Sequence, residues 1–171
     1  RAQLDRLAVH ELDAALVANL DPQHRQQFTL RPLSKHRFVA VLAEGHRLAG
    51  RSTIGLGDLR DAEWVSLSEV AFPGRREFLR AACASAGFEP RIVQEVDSVA
   101  LMLAAVTAGD AVAIAPRHSQ KLPHQGCVFV PLGASAPVVQ LFLATGKGAP
   151  SAELQVLHEL LLARSKHLGD G

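Results

Sequence analysis

Residues 87–116 read GFEPRIVQEVDSVALMLAAVTAGDAVAIAP, and this stretch decides the fold. RIVQEV is short and rich in β-branched residues, which predicts a strand with Ile92, Val93 and Val96 buried. Asp97 or Ser98 then supplies an N-cap. VALMLAAVTA predicts a helix apolar on almost every side and so buried between layers. Gly109 ends that helix, and AVAIAP predicts a short buried strand. A strand, a capped helix and a second strand in close succession point to parallel sheets in an α/β fold.

Just upstream, Pro73-Gly74 precedes a helix whose apolar stripe is Phe78, Leu79, Ala82, Cys83 and Ala86, with Gly87 closing it as a left-handed residue. EWVSL at 63–67 predicts the strand before it, and the Gly-rich stretch 45–59 holds a helical turn at residues 57–59. Further back, residues 1–9 predict a helix from Leu4, Leu7 and Ala8, with no N-cap before Arg1. Residues 12–18 predict a buried strand, followed by a polar connection through Asp21-Pro22. Residues 28–33 and 37–43 predict two extended runs. Downstream, VFVPL and VVQLFLATG predict strands, and Ser151 caps a last amphipathic helix carrying Leu154, Leu157, Leu160 and Leu161. The extended segments Arg31-Pro32-Leu33 and Val130-Pro131-Leu132 bracket a self-contained αβ block of about a hundred residues. A lobe inserted into another through two crossing strands has this pattern, with the two Pro-Leu pairs at the hinge.

Composition narrows the function classes. A chain that is 48% hydrophobic and 20% charged has the make-up of a soluble globular protein. Eighteen basic against 17 acidic residues, with no stripe of Lys and Arg, give no electrostatic case for direct nucleic-acid binding. No apolar run approaches the ~18 residues that span a bilayer, and residues 1–17 lack the pattern of a signal peptide, so a cytoplasmic location and no membrane partner are expected. Cys83 and Cys127 lie far apart within apolar runs and read as buried free thiols.

Enzyme signatures are missing. His10-Glu11 and His158-Glu159 begin like a zinc-protease helix but lack the second His. His118, His124 and Cys127 fall in a loop without a paired ligand set, so no metal is expected. There is no Gly-x-Ser-x-Gly elbow, Gly146-Lys147 lacks a phosphate loop, and Gly55-x-Gly57 lacks its third glycine. No catalytic residue and no cofactor is expected.

Binding chemistry is better supported. SEVAFPGRREF, residues 68–78, lies between a strand end and a helix start. The first N–H groups of a helix lack internal partners and carry the positive end of its dipole. Gly74 lets a ligand approach the backbone, and Arg75 and Arg76 add positive charge, so these residues are candidates to cradle a carboxylate or other small anion; alternatively the arginines only face solvent. Ligands in open α/β sheets bind beyond the carboxyl ends of strands. Ala18 and Asn19, Ser66 and Ser68, and Asp97-Ser98 are the small or polar residues at such ends.

In order, LDAALV, RPL, FVAVLAEGHRLAGRSTIGLGDL, the 87–116 stretch and VFVPL resemble the effector-binding domain of LysR-type transcriptional regulators across nearly the whole chain. The match is most specific over 87–116. The family's His-Pro-Leu-Ala turn is present as His46-Arg47-Leu48-Ala49. The resemblance implies a two-lobed periplasmic-binding-protein-like (type 2) fold with a two-strand hinge. Residues 1–32 and 132–171 would form lobe I, and residues 33–131 lobe II. It also implies a small effector, expected to be a carboxylate or other anion, bound in the cleft between lobes. Carried over by position, Ala18, Asn19, Gly74 and Arg75 face that cleft and Ser98 lies near it. Some relatives that bind aromatic-derived acids have arginine at the Ala18 position; this chain lacks it, so the resemblance does not imply that specificity. The resemblance further implies that a winged helix-turn-helix, a linker helix and lobe I's opening strand–helix–strand precede Arg1. DNA would be reached only through that N-terminal domain. Homodimers or homotetramers would form through antiparallel pairing of lobe II's first helix and following strand with a partner's lobe I. A periplasmic-type solute-binding protein, sharing the fold, is the alternative reading.

Overall fold

The computed structural model describes residues 2–18 and 22–169. Its helices are Ala2–Ala8 (α1), Pro22–Gln27 (α2), Arg75–Ser85 (α3), Val99–Ala108 (α4) and Ala152–Gly169 (α5). Its strands are Ala14–Val17 (β1), Thr29–Ala43 (β2), Glu63–Leu67 (β3), Arg91–Val96 (β4), Ala113–Pro116 (β5), Cys127–Pro131 (β6) and Val138–Thr145 (β7). Two compact units emerge: Arg1–His36 with Val139–Gly171 form unit 1, and Arg37–Val138 form unit 2.

In unit 1, β1 pairs antiparallel with β7, from Ala14 opposite Thr145 to Val17 opposite Phe142. Leu4 and Leu7, three residues apart on α1, bury against Ala15, Val17, Phe28 and Ala144. Strand β1 was expected to be wholly buried, but Leu16 is 47% exposed while its neighbours are covered; a strand with one covered face alternates in this way. The expected polar connection at residue 22 is instead the short α2, because proline at a first helical position presets the backbone for a turn of helix. The two extended runs at 28–33 and 37–43 fuse into the single β2. Pro32 does not break it, since a φ near −65° is compatible with extended backbone. Gln140 Nε2 donates to Ser34 O at 3.1 Å and Ser165 Oγ to Leu33 O at 3.0 Å, fixing β7 and α5 to β2. The leucine stripe of α5 is less covered than its spacing predicts, for Leu157 is 39% and Leu160 64% exposed.

Unit 2 holds a parallel pair and an antiparallel sheet where parallel sheets were expected. Strands β3 and β4 are parallel, with Glu63 opposite Arg91 and Leu67 opposite Val96. An isolated parallel bridge between Trp64 and Val112 links this pair to the residue just before β5. Strand β2 pairs antiparallel with both β5 and β6. Only connections that carry a crossing helix, here α3 and α4, give parallel neighbours. Core packing joins Val41, Val65, Leu67, Val96, Ala113 and Ala115 from the strands to Met102, Leu103 and Val106 of α4. Truncating Met102 or Leu103 to alanine removes buried volume of a kind that costs about 2–5 kcal/mol. Helix α4 is covered on one side only, not on all, since Leu101 is 55% exposed; an Ala- and Val-rich sequence does not mark which face is wet.

Helix α3 buries Leu79 and Cys83. Its end is a Schellman motif: Phe88 N–H donates to Cys83 O at 3.1 Å and Gly87 N–H to Ala84 O at 3.0 Å. Gly87, at φ 81°, supplies the left-handed turn. Strand β4 was expected to bury Val93, yet that residue is 49% exposed, because β4 has a described neighbour, β3, on one side only.

Candidate functional site

Strands β3 and β4 end side by side, and each leads into the start of a helix. At α4 the arrangement is local: Ser98 Oγ accepts the Leu101 N–H at 3.2 Å, as the sequence suggested. At α3 it is not. Gly74 occupies the N-cap position in the left-handed region, φ 79°, and offers no side chain. The carboxylate of Glu69 takes its place, accepting the Gly74 N–H at 2.9 Å and the Arg76 N–H at 2.6 Å. The two backbone donors expected to face a ligand are therefore held by an anion of the chain itself. Loop 68–74 is further fixed by Phe72 N–H on Ser68 O at 2.9 Å and Arg75 N–H on Phe72 O at 3.1 Å. Even so, the loop presents Val70 and Phe72 outward, 92% and 39% exposed.

The two arginines differ. Arg76 makes a forked pair with Glu95, at 2.8 and 2.9 Å from Nη2, so its charge is already balanced. Arg75 is only 8% exposed. Its Nη2 donates to Ile114 O at 2.6 Å, and its Cζ lies 4.7 Å from the Phe38 ring centre and 5.2 Å from that of Phe78. Its Nε is buried without an acceptor, and among the described residues no carboxylate pairs with its guanidinium. Burial pushes its pKa down to about 10. Removing such a charge from water costs several kcal/mol. Desolvated contact with an aromatic face returns about 2 kcal/mol, and a charged donor on a carbonyl about 1.5–3 kcal/mol.

The hydroxyls are also engaged. Ser68 Oγ donates to Asp97 Oδ1 at 2.5 Å and accepts the Ala71 N–H at 3.2 Å. Ser66 Oγ donates to Leu67 O within its own strand. Ser68, Gly74, Arg76 and Ser98 thus gather at one edge of unit 2, with Ser66 deeper in β3 and Arg75 behind. Ala18 is exposed just past β1 in unit 1, and Asn19 lies outside the described residues. Glu69 was missed because it acts five residues ahead of the cap, beyond any local capping pattern; Phe38 and Ile114 were missed because only the tertiary fold brings them to Arg75.

Other reactive groups are held in reserve. Burial, aided by Glu89, pushes the Cys83 thiol up to about 12, and burial pushes Cys127 up as well. Burial and nearby Arg47 lower His46 and favour its neutral form. The His124 ring packs edge-on against Phe129 at 4.8 Å. Among the described residues no cluster of three His, Cys, Asp or Glu is arranged to hold a metal ion, and no helix is long and apolar enough to cross a membrane.

Residues 1–166 match the family model of the LysR substrate binding domain. The chain is 31% identical over 149 residues to the HTH-type transcriptional regulator ShiR of Corynebacterium glutamicum (strain R), covering 87% of this chain and 50% of that protein. It is 29% identical over 162 residues to the HTH-type transcriptional regulator TtuA of Agrobacterium vitis, covering 92% and 53%. The chain thus spans about half the length of the curated relatives it matches. Among solved structures it is similar to the effector binding domain of QuiR in complex with shikimate, with a TM-score of 0.79 at 21% identity over 98% of this chain and 78% of that one. It is also similar to the BenM effector binding domain with its effector benzoate, with a TM-score of 0.82 at 20% identity over 97% and 75%. These likenesses establish the type 2 periplasmic-binding-protein-like fold, and the chain belongs to the LysR substrate binding domain family.

Proposed function

We propose that this chain is the ligand-sensing part of a LysR-type transcription factor, and that it binds a small anionic effector at the edge where β3 and β4 end. The match of residues 1–166 to the LysR substrate binding domain carries the reading. The relatives are named as transcriptional regulators, which favours a regulator over a solute-binding protein and over an enzyme, and a cytoplasmic location with it. DNA would be bound by a separate helix-turn-helix domain. The effectors named for the two solved neighbours, shikimate and benzoate, are both carboxylates.

We assign the effector contacts of unit 2 first to Ser98, whose hydroxyl accepts the Leu101 N–H and keeps its own proton to donate; Ser68 and the backbone at Gly74 would join by exchanging Asp97 and Glu69 for the effector, with Ser66, Arg75 and Arg76 shaping that edge. Ala18, just past β1, and Asn19 are assigned the corresponding contacts in unit 1. Residues 1–32 and 132–171 would make lobe I and residues 33–131 lobe II. In the intact regulator, α3 and β4 would supply a homodimer or homotetramer contact. Their shared surface carries the pairs Arg76–Glu95, Arg80–Glu89 and Arg91–Glu63 beside the exposed Val93. Effector binding changes the output only by its differential affinity for two states.

Thermal unfolding of the chain with shikimate, benzoate and a panel of small carboxylates tests the reading. A ligand at 100 times its Kd adds about 2.7 kcal/mol to the native state, and Ser98→Ala is expected to weaken that ligand about 10-fold, the worth of one hydrogen bond. A panel in which no carboxylate raises the Tm removes the anionic effector.

A further inference from the structure

Strand β2 passes from unit 1 to unit 2 between His36 and Arg37, and the chain returns between Val138 and Val139. Just inside unit 2 the two crossings are bonded to each other, for the Phe38 N–H donates to Pro137 O at 2.9 Å. The Phe38 ring is the one on which the Arg75 guanidinium rests, 4.7 Å from its centre. Phe38 also contacts Phe78, one helical turn beyond Arg75, at 4.8 Å between ring centres. The same guanidinium is pinned to Ile114 O, on the strand that pairs with β2 through Phe38 opposite Pro116. Arg75 is the first residue of α3, and α3 is tied to the end of β3 through Glu69 and the bonds inside loop 68–74.

We propose that Arg75 is a positioning residue that fastens the start of α3 to the crossing strands, so that a displacement of loop 68–74 is felt at Phe38 and Pro137. This rests on the effector reading for its purpose, though not for its geometry. A leucine or methionine would fill the slot between the two rings and avoid the burial of an unpaired charge, but it would lack a directional bond to Ile114 and slide against Phe38. A guanidinium is planar and forked, so it holds one orientation against a ring and a carbonyl at once. A buried cation with no carboxylate partner among the described residues fits a residue kept for coupling in preference to stability.

Amide hydrogen exchange on the full chain, followed by NMR without ligand, tests this. In Arg75→Met the Phe38 amide is expected to exchange at least ~10-fold faster, while the β3–β5 bridge amides of Val65 and Val112 stay within ~3-fold of the parent. Arg75→Lys, which keeps the charge but loses the fork and the stack, is expected to fall between. Glu69→Gln, which loosens the loop, should speed the Phe38 amide in the parent and not in Arg75→Met, a coupling that a merely structural arginine does not produce. Should Arg75→Met not fold, Arg75→Lys and its combination with Glu69→Gln decide. An unchanged Phe38 amide in Arg75→Lys and Glu69→Gln overturns the proposal, as does a uniform rise at every amide. Since no ligand is present, failure here leaves the effector reading to its own titration, and a failed titration leaves the coupling standing.

Discussion

The starts of α3 and α4 occupy equivalent places, each following a parallel strand of one sheet, yet they are built on different chemistry. Helix α4 begins with a neutral serine that caps its own first turn. Helix α3 begins with a glycine that caps nothing, a carboxylate borrowed from five residues upstream, and a buried arginine without a counter-ion among the described residues. The first solution is local and satisfies its donors at minimal expense of charge. The second concentrates three unusual features within eight residues, and departures from local consistency gather where a protein has more to do than fold.

The largest expected effect separates these starts by packing. Arg75→Ala should destabilise the chain by about 2–3 kcal/mol, because it empties the slot between Phe38 and Phe78. Arg75→Met should stay within about 1 kcal/mol of the parent in either direction, as apolar replacement of a buried charge often does. Urea unfolding reads both; equal losses for the two variants would mean that charge, not volume, dominates there.

Next comes the nature of each cap. Ser98→Ala should cost about 1 kcal/mol at any salt concentration. Glu69→Gln should cost about 0.5–1 kcal/mol in dilute buffer and less in 1 M salt, where an exposed charge at a helix start is screened. Chemical denaturation at two ionic strengths distinguishes them, and an equal salt response would show that the two caps are alike after all.

The effect that is smallest at neutral pH lies on the buried side of α3. The Cys83 thiol has a folded-state pKa raised from 9.0 to about 12 by burial first and Glu89 second. Its contribution is complete below pH 9 and is lost as pH climbs through about 12. Cys83→Ala should flatten the decline in stability over that window, and at pH 8 the native thiol should react with a disulfide reagent at least ~100-fold more slowly than free cysteine. Rapid modification in the folded chain would mean that α3 opens readily along its length.

These contrasts also explain what the sequence could reveal. Ser98 was legible because a cap acts on the residue three places later. The Gly87 turn was legible because only a residue free of a Cβ sits easily at φ 81°. Leu4 and Leu7 were legible from their spacing. The one-sided exposure of α4 and of Val93 was not, because a sequence gives periodicity but not which neighbours a sheet edge lacks. Likewise Gly74, Arg75 and Arg76 stand out in the sequence as a candidate anion cradle. Their partners were hidden, since Glu69, Glu95, Phe38 and Ile114 reach them through tertiary folding, and Ile114 does so with a main-chain oxygen that no side-chain pattern records.

One more consequence follows from how the chain threads through its units. Unit 2 is a single uninterrupted segment, whereas unit 1 is assembled from two segments held apart by all of unit 2. As the chain leaves a ribosome, unit 2 has all its residues available while β7 and α5, which unit 1 requires, are still unmade. Closing a gap of about a hundred residues costs less entropy if the intervening chain is already compact. The order of synthesis therefore favours unit 2 folding first, with the crossings in β2 and β7 delivering the two halves of unit 1 to each other.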